Sequence, residues 1–474
     1  MTKAKPRYMA QTDFMSWRME ADPVLRSTIV AVAVLDRSPD WSRFVRMMRR
    51  GVDVVPIFRR KVVIDRLGAV PPHWVDDPDF DLGWHLRRFT LPDRGGWDGV
   101  LDFARTTGMS AFDTARPLWE FTVLDGLADG RAALVIKVHH SLTDGVGGMQ
   151  IAREIMDFTR EGTPRGDTPR PSTVEGAEAD SSVADSLSWY RATGGALARR
   201  TVSSAVRGAG KLWSDPAAAV REAAAVVGST VRFARPVFST MSPVMTERST
   251  RRHYAALDVP ISGLTAAAAA GGGSINDAFL ASILLGMRHY HRAHGAEIPP
   301  ALRLTLPISL RTEEDPIGGN RITLARFALP TDIDDPAQLM GRVRTTVEAW
   351  RTEPAVPLSS TIAGALNLLP ATSLGNMLKH VDFVASNVVG SPVPLFMAGA
   401  EIERYYAFSP TLGSAFNVTL MSYTSVCCIG INADVAAVPD PALLTSSIAE
   451  GFRTVLALCT DESADTAVLA SWIR

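Results

Sequence analysis

Cysteine is scarce: Cys427, Cys428 and Cys459 are the only three in 474 residues. Three thiols, two of them adjacent, cannot supply a disulfide framework or a zinc site, and they fit a reducing cytoplasm. Net charge is also lacking, since 49 Lys and Arg face 50 Asp and Glu for a formal charge of -1. Nothing therefore pulls the whole chain toward nucleic acid. No uninterrupted apolar run is long enough to span a bilayer; Ser27 to Leu35 has only strand length. The basic start, Met1 to Arg7, is followed by no apolar h-region, so no signal peptide is expected. There is no Gly-x-Ser-x-Gly nucleophile elbow, which argues against a serine nucleophile.

What is present points to an ordinary folded protein. Hydrophobic residues make up 46% and charged residues 21% of the chain, a globular rather than a disordered balance. The length is too great for one ordinary core, so two domains with connections are expected.

The richest stretch is Val138-His139-His140-Ser141-Leu142-Thr143-Asp144-Gly145, with Gly147 and Gly148 behind it. Upstream, Ala132 to Val138 is mostly apolar and β-branched, and reads as a strand. Downstream, Ala152, Ile155, Met156 and Phe158 fall at helical spacing. The two histidines thus lie where a buried strand ends and a glycine-bearing turn leads into a helix. Adjacent strand residues point to opposite faces, so His139 and His140 cannot serve one small site. That argues against a two-histidine metal site. One imidazole faces the chemistry and can take a proton from a hydroxyl at neutral pH; the other packs inside. Asp144 can brace the turn at Gly145, pair with an arginine or contact the histidine, and sequence leaves the three open. Taken singly, each residue reads as a satisfied polar group, with Asp144 as a helix N-cap.

Asp13 to Glu20 is a short aromatic segment that reads as an edge strand with core aromatics or, by the resemblance described below, as a segment near a catalytic channel, and Thr28 to Leu35 follows as a strand. Trp41 to Val52 has helical spacing. Phe80-Asp81-Leu82-Gly83-Trp84-His85 leads into a strand, with His85 expected to be structural. Pro117-Leu118-Trp119-Glu120 feeds another strand and then a turn at Ala128-Asp129-Gly130, which predicts a hairpin into the histidine strand. Trp119 is expected in the core and Glu120 beside an arginine.

Arg160 to Asp185 reads as a solvated linker or mobile loop. Ser186 to Arg235 is alanine-rich, with eight Lys and Arg against Asp215 and Glu222 and interleaved aromatic and leucine residues. It reads as a helix suited to an anionic lipid interface, or as an interdomain helix with a charged outer face.

Strand-like structure resumes at Tyr254 to Val259. Gly271-Gly272-Gly273-Ser274-Ile275-Asn276-Asp277 opens an apolar helix that Ser274 or Asn276 would cap, its amide dipole facing an anion or a carbonyl oxygen. His289, His291 and His294 near that helix end are expected at the surface. Leu302 to Leu306 reads as a strand running into Pro307-Ile308-Ser309-Leu310-Arg311, with Gly318-Gly319-Asn320 beyond. Leu412 to Tyr423 and Val426 to Asn432 read as paired strands, and Pro441 to Leu458 as a closing amphipathic helix.

His139-His140-Ser141-Leu142-Thr143-Asp144-Gly145 resembles the His-His-x-x-x-Asp-Gly motif of the CoA-dependent acyltransferase superfamily, which includes chloramphenicol acetyltransferase and condensation domains. Pro117-Leu118-Trp119-Glu120, Asn276-Asp277, Gly318-Gly319-Asn320 and Ser386-Asn387-Val388-Val389-Gly390-Ser391-Pro392 resemble more specifically the bacterial wax ester synthase/diacylglycerol acyltransferase family. The last stretch departs from that family's pattern at Val389 and Ser391, where prolines are usual.

The resemblance implies an α/β (α+β) fold of two chloramphenicol-acetyltransferase-like domains with mixed sheets around a central channel. Their expected bounds are 1–160 for the motif-bearing domain, 161–250 for the linker and 251–474 for the second domain. It also implies transfer of a long-chain acyl group from acyl-CoA to diacylglycerol or a long-chain alcohol. His140 would be the general base, His139 a supporting residue, and Asp144 and Gly145 architectural. Asn276 is the candidate oxyanion donor. No bound metal or redox cofactor is implied; acyl-CoA is a co-substrate. The implied setting is cytoplasmic, at the inner membrane face or a lipid droplet, without nucleic acid. The alternatives are another superfamily member acting on a different alcohol or amine, and a catalytically silent lipid-droplet-binding homologue.

Overall fold

A computed structural model describes residues 8–64, 71–92, 96–165, 228, 237–311, 320, 322–354, 356–367, 375, 378–459, 465, 467 and 468. Two six-stranded sheets carry the fold. Their strands are β1 (Thr28–Leu35), β4 (Leu86–Thr90), β5 (Trp119–Asp125), β6 (Ala132–His139), β7 (Arg252–Pro260), β8 (Ala301–Ser309), β9 (Ile322–Pro330), β10 (Phe383–Val388), β11 (Phe396–Met397), β12 (Ala400–Phe408), β13 (Phe416–Tyr423) and β14 (Val426–Asp434). A small ribbon pairs β2 (Arg60–Val63) with β3 (His73–Asp76).

The first sheet runs β11-β12-β1-β6-β5-β4 and the second β7-β14-β13-β10-β8-β9. Both are mixed. In the first only β4 and β5 are parallel; in the second β10 is parallel to both its neighbours. The first sheet is not made by the first half of the chain alone. β12 pairs antiparallel with β1, placing Ala407 opposite Ala31, so a segment far downstream completes the sheet that carries the histidines. β1 is consequently central, and buried apolar residues along nearly its whole length show why it lacks the alternation of a half-exposed strand. The expected hairpin is present as β5–β6, its turn using a left-handed Asp129 at φ 59°.

The opening segment corrects one expectation. Residues Gln11–Met19 form helix α1 rather than an edge strand. Helices α2 (Trp41–Val54) and α5 (Gly145–Ile155) pack together, and Gly51 permits it: an added Cβ there would sit 2.9 Å from Ile155 Cγ1. Between them in chain order come α3 (Leu82–His85) and α4 (Trp97–Met109). The second half adds α6 (Ile261–Ala270), α7 (Ile275–Ala293), α8 (Pro336–Arg351), α9 (Ser359–Leu366) and α10 (Pro441–Leu456). Ser274 caps α7 in a reciprocal box with Asp277. His291 is a second correction: it is fully buried, with Nδ1 at 2.7 Å from the Met287 carbonyl and Nε2 at 2.8 Å from Ser242 Oγ. Helix periodicity could not show this, because the segment carrying Ser242 is more than forty residues away in sequence. His289 and His294 are exposed as expected.

The sheets meet where β12 crosses β14. A Cβ on Gly430 would lie 2.1 Å from the Ala407 carbonyl oxygen, so only glycine allows that approach. Beside it, Asp258 accepts hydrogen bonds from Tyr406 Oη and Arg404 Nε, both at 2.6 Å. No single helix among the described residues is long and apolar enough to cross a membrane. The basic stretch Ser186 to Arg235 lies outside the described residues apart from residue 228.

Candidate active site

β6 delivers the histidine pair to opposite faces, as strand geometry requires. His139 turns into the protein and is 1% exposed. Its Nδ1 accepts from the Ser141 backbone N–H at 3.1 Å, which places its proton on Nε2, 3.2 Å from Glu20 Oε1. The rings of Trp17 and Phe112 meet it edge-on at 5.9 and 6.0 Å. Burial alone would raise the Glu20 pKa, but the hydrogen bond from His139, with the Ser27 N–H, holds it below the usual carboxylate value. The same Glu20 oxygen accepts from Ser27 N at 2.6 Å, while the Ser27 carbonyl accepts from His140 N at 2.9 Å. Through this chain His139 braces the backbone of His140. The Ser141 hydroxyl, 2.7 Å from His139 Nδ1, is fully buried and engaged there rather than poised as a nucleophile.

His140 faces a cavity of about 1370 Å³, measured with its opening to solvent. Burial pushes its pKa below the ordinary value; the field of Asp144 and a hydrogen bond to its own carbonyl pull the other way without cancelling the shift. The ring is therefore neutral at neutral pH. Asn320 sits against the ring, its side-chain amide 3.2 Å from Nδ1. The Asn320 atom at that distance is Nδ2, so the amide fixes the position of the ring from the side of Nδ1.

Asp144 holds the turn. Its carboxylate caps α5 by accepting from Gly147 N at 2.7 Å, and it pairs with Arg311 Nη2 at 3.2 Å. Both side chains are buried, and Arg311 comes from just beyond β8, so the pair ties the two halves of the chain together beside the histidine. Gly145 has a steric reason: a Cβ there would lie 2.7 Å from Val388 Cγ2 on β10.

The cavity is opened by a split in the second sheet. β10 pairs with β13 along all six residues but with β8 only at Phe383 and Val384. Pro307 on β8 has no N–H to extend that pairing. Beyond the split, Ser386 and Asn387 of β10 and Ser309 of β8 line the cavity. The wall from the first sheet and α5 is apolar apart from His140, Tyr405 and the turn residues Thr143 and Asp144. The cavity thus has a polar side and a hydrocarbon side, with His140 on its wall.

The structure does not bring Asn276 to this place. It lies in the first turn of α7 and is not among the residues lining the cavity. Spacing near a helix start suggested an anion site, but that helix end packs elsewhere, Gly271 being close to Met340 and Leu458. Asn320 and Arg311, by contrast, touch the motif directly; they stood out in the sequence only as parts of landmarks. His85 is structural as expected, with Nδ1 2.7 Å from the Trp119 carbonyl and its ring stacked on Trp119 at 4.3 Å. Glu120 pairs with Arg87, as expected. Among the described residues, no group of three or more His, Cys, Asp or Glu is placed to hold a metal ion.

The description "Wax ester synthase/diacylglycerol acyltransferase catalytic domain" matches residues 9–279, and "WS/DGAT C-terminal domain" matches residues 318–455. This chain belongs to the wax ester synthase/diacylglycerol acyltransferase family. A putative diacylglycerol O-acyltransferase of Mycobacterium tuberculosis is 35% identical over 455 residues, covering 95% of this chain and 92% of that protein. A probable diacylglycerol O-acyltransferase of the same organism is 26% identical, covering 93% of each. The structure of a wax ester synthase/diacylglycerol acyltransferase from Marinobacter aquaeolei VT8 superposes with a TM-score of 0.64 at 20% identity, over 95% of this chain and 98% of that one. The first condensation domain of the calcium-dependent antibiotic synthetase has the same fold, with a TM-score of 0.62 at 15% identity over 98% of this chain and 100% of that one. Those likenesses place this family member in the α/β class of two mixed sheets expected from its motif.

Proposed function

We propose that the protein is an acyl-CoA-dependent O-acyltransferase that moves a long-chain acyl group onto diacylglycerol, a long-chain alcohol, or both. The observation that carries this is a His140, neutral at neutral pH, on the wall of a cavity that is apolar on one side and polar on the other.

The alcohol hydroxyl gives its proton to His140 Nε2 as its oxygen attacks the thioester carbon. The tetrahedral intermediate collapses, the carbon–sulfur bond breaks, and the proton on Nε2 passes to the departing thiolate. No acyl-enzyme forms, in keeping with the engagement of Ser141 by His139. Ser309, Ser386 and Asn387 are the donors available to the oxyanion from the polar wall. CoA serves as a co-substrate, not as a resident cofactor.

Apolar acceptors partition into lipid, so the enzyme works at a membrane or droplet surface; the support in this chain is the basic, aromatic-bearing sequence from Ser186 to Arg235. The alternatives, another alcohol or amine as acceptor or a silent lipid-binding protein, have no feature of the site in their favour.

The test is thiol release from palmitoyl-CoA with hexadecanol or dioleoylglycerol, for wild type and His140→Ala. Acceptor-dependent release that falls about 10²–10⁴-fold in the variant is expected. Release at an undiminished rate would remove His140 as the base. Absence of release with either acceptor would refute the proposed substrates.

A further inference from the structure

The apolar side of the cavity has a definite floor. Strand register sets one row of side chains across the first sheet: Phe121 opposite Ile136, Ile136 opposite Ala31, and Ala31 opposite Ala407. All four line the cavity. Two of the four are alanines on adjacent strands, in a sheet whose buried positions are otherwise mostly filled by larger apolar side chains. Across the space, α5 also contributes an alanine to the lining, Ala152. In the next row Tyr405 stands opposite Ala33, and of those two only Tyr405 reaches the cavity, so the floor ends there.

The row has a fixed distance from the chemistry. Ile136 and His140 share a face of β6 four residues apart, roughly 13 Å at the strand rise. Between them lies the pair Ile29 and Val138, also in the lining. Along β6 and β1 the wall from His140 to the alanine row is therefore hydrocarbon, with Ser409 at its edge beyond β12. A buried apolar slot of this kind accepts a linear hydrocarbon chain and rejects anything that must keep its water.

We infer that Ala31, Ala407 and Ala152 set the length of the hydrocarbon chain this enzyme accepts, by holding open an arm that begins at His140 and closes at Tyr405. The inference rests on the acyl-transfer reading for its chemistry, but the arm itself is a binding feature that is measurable without turnover. One chain fits, and it belongs either to the acyl group or to the alcohol.

Ala31→Leu and, separately, Ala152→Leu fill the arm from its floor and from its roof. The second places a good helix former in a helix, so it keeps the test alive if the strand variant does not fold; thermal unfolding checks both. Each variant is assayed over a series from octanoyl-CoA to palmitoyl-CoA with one fixed alcohol, and over octanol to hexadecanol with one fixed acyl-CoA. A loss for the long member exceeding that for the short member by about tenfold or more is expected in one of the two series. The affected series names the chain: the acyl series assigns the arm to the acyl group, the alcohol series to the acceptor. Loss of equal size across both series in a folded variant, or no change in either, would overturn the inference. Calorimetric binding of palmitoyl-CoA and octanoyl-CoA, and of hexadecanol and octanol, separates this from the fate of the catalytic reading. If the wild type binds long chains but transfers none, the same selective loss of binding in the variants upholds the arm while the proposed reaction fails.

Discussion

At the residue scale the site depends on how two neighbouring imidazoles are held in different states. His139 accepts a backbone N–H at Nδ1 and turns its proton toward Glu20; His140 meets the Asn320 amide at Nδ1 and faces the cavity. Because burial lowers the His140 pKa, the base form persists below the ordinary histidine value of 6.5. The acid limb of kcat/KM against pH is therefore expected to fall below that point, and a limb above it would contradict the desolvated environment. The stability sign follows from the same shift. The unfolded chain binds this proton more readily than the native one, so the His140 contribution turns destabilising as pH falls through the ordinary value. Replacing Asn320 by Leu removes the polar contact at Nδ1 without touching the cavity wall. The expected result is a lower kcat with little change in KM, because the ring's orientation is disturbed and substrate contacts are not. A rise in KM alone would show that Asn320 contacts substrate instead.

At the scale of elements, the turn between β6 and α5 is where most local constraints converge. Asp144 both caps α5 and pairs with Arg311, so Asp144→Ala takes the carboxylate from a buried guanidinium and loses a cap. A destabilisation of about 3–5 kcal/mol is expected from denaturant unfolding. Gly145→Ala presses a methyl onto Val388, and a cost of about 1–3 kcal/mol follows from overpacking. The double variant Gly145→Ala with Val388→Ala makes room again and is expected to recover part of that loss. Additive costs would mean that the close approach of α5 to β10 is not why glycine is needed. Here the sequence was legible in kind. The strand, the glycine turn, the helix and the capping role of Asp144 were all readable from apolar patterning and residue type. The arginine partner was not, because 167 positions separate it from Asp144 and no local pattern encodes that distance.

At the scale of the whole molecule, β12 binds the halves together: it completes the first sheet and lies against β14 of the second. Tyr406→Phe removes the hydroxyl that donates to the buried Asp258 carboxylate, and a loss of about 1.5–3 kcal/mol is expected, as for hydrogen bonds to charged groups. Since that contact belongs to both sheets, unfolding of the variant is expected to remain a single transition detected alike by tryptophan fluorescence and circular dichroism. Two separated transitions would show halves that unfold independently. The same crossing places Ala407 beside Ala31, so the segment that joins the sheets also shapes the floor beneath the reacting groups.

The sequence alone determined the strand-turn-helix that presents His140, the opposed faces of the histidine pair, most of the strands and helices, and the family. Each of these follows from side-chain period, turn chemistry or motif spacing, which are local properties. Tertiary structure decided what lies across from them. It brought Asn320 and Arg311 to the motif, left Asn276 outside the cavity, buried His291 and made a helix of the opening segment. It also split β10 from β8 beside the cavity and ran β12 into the first sheet. These outcomes depend on which distant surfaces meet, and apolar periodicity records that a face is buried without recording what buries it.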